Sequence, residues 1–161
     1  MSAIASQRPA FGLPGRIQAP NSKPRTIALV GLGEGGAAVA RRLSSERQPN
    51  LEVHVLAKSA SGGDALAAIQ AGGGDLQRDL ANADMIFIVA RHGDDVGLAP
   101  VVSGIAHGRK HPVTALYIMP ADAVPDASED ATLKTLRGAV EVLVVVTDES
   151  YVAAMIAALG G

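Results

Sequence analysis

A chain of 161 residues, 48% of them hydrophobic, can bury one core and suits a single compact body. With two Phe, two Tyr and no Trp, stacking on nucleic-acid bases has little to rest on, and the absence of cysteine excludes disulfides, thiolate nucleophiles and zinc–sulfur sites. No apolar run approaches the roughly 20 residues needed to cross a bilayer and the N-terminus has no signal-peptide hydrophobic region, so a soluble, cytoplasmic protein that is not transmembrane is expected.

Residues 1–25 stand apart. Pro9, Pro14, Pro20 and Pro24 interrupt every element, and Arg8, Arg16, Lys23 and Arg25 have no acid among them, which predicts a basic, disordered arm. Removing those four positive charges leaves ten basic and sixteen acidic residues in 26–161, a balance of −6. An acidic body argues against a nucleic-acid partner. Rapid proteolysis up to Arg25, with the remainder intact, is the outcome that checks the division into an arm and a folded domain over 26–161.

From residue 26 the pattern alternates strand and helix. Strands are expected near 26–31, 51–57, 84–90, 113–119 and 141–147, and helices near 35–45, 64–71, 74–82, 99–108, 128–138 and 149–159. Runs such as Met85–Ala90 and Val142–Val146 are apolar at consecutive positions, as in strands covered on both faces. The fold class is therefore α/β: a Rossmann-like three-layer sandwich around a mostly parallel sheet of about five strands in the order 2-1-3-4-5. Asp126 with Glu129, or Ser128 alone, is expected to cap the helix presenting Leu133 and Leu136. Tyr151, Met155 and Leu159, with Val152 and Ile156, give the last helix an apolar stripe that reads as core or as a partner surface.

Two loops carry the chemistry. In the first, a hydrophobic strand runs into Gly31, Gly33, Glu34, Gly35 and Gly36 and out into a helix, fitting G-x-G-x-x-G at 31, 33 and 36. Bare backbone there lets N–H groups and the positive end of a helix face an anion, although the same turn also serves close strand–helix packing with nothing bound. The second, Arg91-His92-Gly93-Asp94-Asp95-Val96-Gly97, follows the third strand. In a doubly wound sheet the two loops meet where strand order reverses, the usual place for a ligand.

The stretches Ala83–Ala90 and Gly97–Ala106 resemble the strand and helix that flank the signature loop of the bacterial tubulin homologue FtsZ. Gly31–Arg42 is similar to that family's first nucleotide loop, and Leu133–Asp148 to its Leu-x-x-Leu-x-x-x-Val-Asp-x-Leu-Ile segment. The three matches fall in the family's order and cover most of 26–150. The resemblance implies a GTP-binding domain with the nucleotide held by Gly31, Gly33, Glu34, Gly35, Gly36, Gly93, Asp94, Asp95 and Gly97.

Departures from the family qualify that implication. Asp94 and Asp95 stand where its signature loop has threonine and glycine, Glu34 replaces a glycine, and Ala38 replaces an asparagine that helps hold the nucleotide. Carboxylates near a triphosphate repel it by roughly 1–4 kcal/mol per pair at 4 Å. Magnesium held by Glu34, Asp94 and Asp95 would offset this. The chain also stops near the family's long guanine-contacting helix, before the loop whose carboxylates position the attacking water, so GTP hydrolysis is not expected. The resemblance thus implies a degenerate domain working by protein contact, as a homo-oligomer or with another protein, or binding GTP or GDP without turnover.

The alternative is an NAD(P)-binding module, since Gly31-Leu-Gly-Glu-Gly-Gly also resembles the glycine turn of hydroxyacid dehydrogenases. Lys58, at the end of the second strand, suits NADP rather than NAD. His54, His107 and His111 have no acid partner visible along the chain and read as structural, while Arg91 and His92 are candidates to steer an anion.

Overall fold

The computed structural model describes residues 25–46, 50–56, 76–107 and 111–159. Five strands, β1 (Ile27–Leu32), β2 (Leu51–Leu56), β3 (Met85–Arg91), β4 (Val113–Ile118) and β5 (Val142–Val146), alternate with α1 (Gly33–Ser45), α2 (Leu76–Asn82), α3 (Ala99–His107), α4 (Ala131–Ala139) and α5 (Glu149–Ala158). They form one sheet in the order β2-β1-β3-β4-β5, every adjacent pair parallel. The expected fold class and strand order are those observed.

The consecutive apolar residues of β1 and β3 feed two cores. Val30, Ile88 and Tyr117 pack on one face against Leu80, Val102 and Leu136 of α2, α3 and α4. Leu29, Phe87 and Leu116 pack on the other against Val39 of α1 and Val152 and Ile156 of α5. No helix among the described residues is long and apolar enough to cross a membrane.

Three local expectations are corrected. The helix after β4 begins at Ala131, not near 128, and its cap is Asp130, whose side chain accepts from the Leu133 N–H at 3.0 Å. Asp126 instead closes a turn, accepting from the N–H and hydroxyl of Ser128. In α5 the stripe is held by buried Val152 and Ile156 with partly buried Met155 and Leu159 packed beside them, and Tyr151 leaves it, being 58% exposed. The arm over 1–24, the helix near 64–71 and Lys58 lie outside the described residues.

Candidate functional site

The strand order places β1 and β3 side by side and parallel within the sheet, so the loops that follow them open at the same end. The first loop turns into α1 without a local cap: Leu32, at the cap position, has no side chain able to bond the first-turn N–H groups. Two of those donors are satisfied from the other loop. Gly35 N–H donates to Asp94 Oδ1 at 2.9 Å, Gly36 N–H donates to Asp94 Oδ2 at 2.8 Å, and Arg91 N–H donates to the same oxygen at 2.7 Å. One carboxylate therefore sits on the glycine loop at the positive end of a helix, a place that favours an anion.

Steric fit reinforces the arrangement. Gly33 has a φ of +74°, and a Cβ built there would lie 2.6 Å from Asp94 Cβ. A Cβ on Gly36 would lie 2.2 Å from the Val89 carbonyl oxygen, and one on Gly31 2.5 Å from the Gly36 carbonyl oxygen. Gly31 and Gly36 thus let the start of α1 pack against β1 and β3, and Gly33 makes room for Asp94.

The three acids of the expected site are not brought together. Asp95 is exposed and turns onto its own loop, accepting from Gly97 N–H at 3.0 Å, and Glu34 is exposed on the first turn of α1. No group of three or more metal-ligating side chains occurs among the described residues, so the arrangement imagined for magnesium is not formed there. Gly93, with φ +88°, gives the loop its left-handed turn. Thr132 Oγ1 anchors the loop to α4 by donating to the Asp94 carbonyl at 2.6 Å. The cleft beside it, lined by Asp95, Gly97, Thr132 and Thr135 among others, measures about 180 Å³.

Arg91 and His92 are engaged within the fold. Arg91 and Arg42 both donate to the Glu149 carboxylate, Arg42 Nε at 2.6 Å from Oε2, which ties β3, α1 and α5 together. Those hydrogen bonds, led by Arg42, hold the Glu149 carboxyl below its usual range. His92 Nδ1 lies 3.0 Å from Tyr117 Oη and 3.1 Å from Asp130 Oδ2, and the fully buried Tyr117 hydroxyl donates to that same oxygen. Burial and then the Asp130 hydrogen bond push the Tyr117 phenol well above its ordinary value. Burial works to raise the Asp130 carboxyl, but the bonds from Tyr117, Leu133 and His92 outweigh it and the net shift is downward.

These shifts set a pH window. A carboxyl held lower in the fold than in the unfolded chain contributes stability above about pH 4 that is lost as pH falls through the folded value, whereas the raised phenol contributes below about pH 10 and is lost above it. Unfolding free energy measured against pH is therefore expected to fall on both sides of that plateau. Glu149→Gln should flatten the acid limb and Tyr117→Phe the alkaline one.

Two histidines read as lacking acid partners have them. His54 Nε2 lies 2.8 Å from Asp79 Oδ2 on α2, and His107 bonds Glu141. Both partners lie far along the chain, as does Glu149 for Arg91, so no local spacing signals them.

No protein-family model matches the sequence, and no curated protein does either. Solved structures do match. An empty FtsZ dimer from M. jannaschii aligns with a TM-score of 0.55 at 19% identity over 84% of this chain and 48% of that one. A point mutant of FtsZ from the same organism aligns with a TM-score of 0.53 at 18% identity over 88% of this chain and 55% of that one. The fold is FtsZ-like. The chain spans about half the length of those FtsZ chains. Within the FtsZ-like fold, the loops expected to meet do meet, and the residue joining them is Asp94.

Proposed function

We propose that this chain is an FtsZ-like domain whose phosphate loop is closed by its own Asp94, and that it works in the cytoplasm through contact with other protein chains rather than by holding or hydrolysing GTP. The observation supporting this reading is the seat of the Asp94 carboxylate on the N–H groups of Gly35, Gly36 and Arg91. A nucleotide phosphate needs those same donors. To enter, it must displace a tethered anion whose hydrogen bonds are charge-assisted, worth about 1.5–3 kcal/mol each, and then lie beside the expelled carboxylate. The exposed acids Glu34 and Asp95 add to the repulsion. The same closure opposes the pyrophosphate of NADP, so the cofactor-binding alternative gains nothing from it.

Isothermal titration of the full chain with GTP, GDP, NADPH and NAD, each with and without magnesium, tests this reading. No binding heat is expected with any of them. Micromolar GTP or GDP binding would overturn it, and NADPH binding with no guanine response would move the protein to the cofactor-binding class.

A further inference from the structure

Strand β5 ends the sheet, and among the described residues it pairs with β4 alone. The Val146 carbonyl accepts from Met119 N–H at 2.8 Å, so alternation points the backbone groups of Val142, Val144 and Val146 at β4 and those of Leu143 and Val145 out of the sheet. Edge strands are ordinarily guarded by lysine, proline or a bulge. This one is Val-Leu-Val-Val-Val, with none of these, and Val142 is 46% exposed. On the same side of the sheet, Tyr151 of α5 is 58% exposed, and no residue from 150 to 161 is charged.

We infer that β5 is a docking edge for a second copy of this chain, joined antiparallel about a two-fold axis through Val144. Each Leu143 then faces the second copy's Val145 and exchanges both hydrogen bonds with it, Val142 faces Val146, and Val144 faces itself. All five apolar residues are matched. Charge selects this register: Glu141 falls opposite Thr147, whereas moving the axis to Val145 sets Glu141 against Glu149 and Val142 against Asp148. Moving it to Leu143 takes Val146 onto Val140, which caps α4 and lies outside the strand. Residues Val142–Val146 carry no charge, so a second copy brings no like charges together within the five paired positions. The inference stands whether or not the glycine loop binds nucleotide.

The chain has no cysteine, so a single introduced thiol reports the register directly. Residues facing each other in a non-hydrogen-bonded antiparallel pair have Cα atoms about 4.5 Å apart, within disulfide reach. Val144→Cys is expected to oxidise to a covalent dimer at least about tenfold faster than Val142→Cys, which faces Val146 instead. Wild-type protein should sediment as a dimer. Val145→Pro removes an outward N–H without breaking the β4 ladder, and Val142→Lys restores the missing guard; each should weaken association at least about tenfold while circular dichroism keeps the native signal. If Val145→Pro fails to fold, Val142→Lys and the cysteine pair decide. A monomeric wild type, a dimer insensitive to Val142→Lys, or equal cross-linking at 142 and 144 would overturn the inference.

Discussion

Asp94→Ala is expected to lower the unfolding free energy by about 2–4 kcal/mol in urea titrations, a large loss for a loop residue. The substitution removes the acceptor for three backbone donors at once, and two of these, Gly35 N–H and Gly36 N–H, belong to the uncapped first turn of α1. Part of the loss is recoverable, because water reaches the half-buried loop. Asp94→Asn keeps one acceptor oxygen but turns an NH2 group towards the same donors, so a smaller loss of about 1–2 kcal/mol is expected. A neutral Asp94→Ala would mean that the carboxylate does not hold the two loops together.

Gly36→Ala is expected to cost about 3 kcal/mol or to abolish folding, because the added methyl would meet the Val89 carbonyl at 2.2 Å and Ala90 Cα at 3.1 Å. Both atoms are backbone in the central strand β3, so no side-chain rotation relieves the contact. Gly104→Ala is the control. It lies in α3 with nothing within 4 Å of the new methyl, and it should stabilise by about 0.5–1 kcal/mol through helix propensity alone. Urea unfolding of both variants beside the wild type separates a clash at the glycine loop from a general response to losing glycine.

The sheet was legible in the sequence because its strands are apolar at consecutive positions and each is separated from the next by a helix-length segment, which leaves few parallel arrangements. The meeting of the 31–36 and 91–97 loops followed from that order. The role of Asp94 was not legible. Its three donors are spread over two loops, and the sequence carries the sign of the carboxylate but not its direction, so an acid that faces away from the glycine loop and an acid seated on its N–H groups look alike. Asp130 is not legible as the cap for a related reason: Asp126, backed by Glu129 three residues on, and Ser128 are equally good caps along the chain, and only the packed structure puts Asp130 on the Leu133 N–H and beside Tyr117 and His92. The acid partners of His54 and His107 are brought to them only by the packing of α2 and of the turn that leads into β5.

Amide signals of Gly35 and Gly36, followed by NMR while GTP with magnesium is added in parallel to wild-type protein and to Asp94→Gly, test the closed loop most directly. The wild-type signals are expected to stay in place, and those of Asp94→Gly to move in saturable fashion as phosphate takes over the vacated N–H groups. Saturable shifts in the wild type at micromolar GTP, or unmoved signals in a folded Asp94→Gly, would contradict the account.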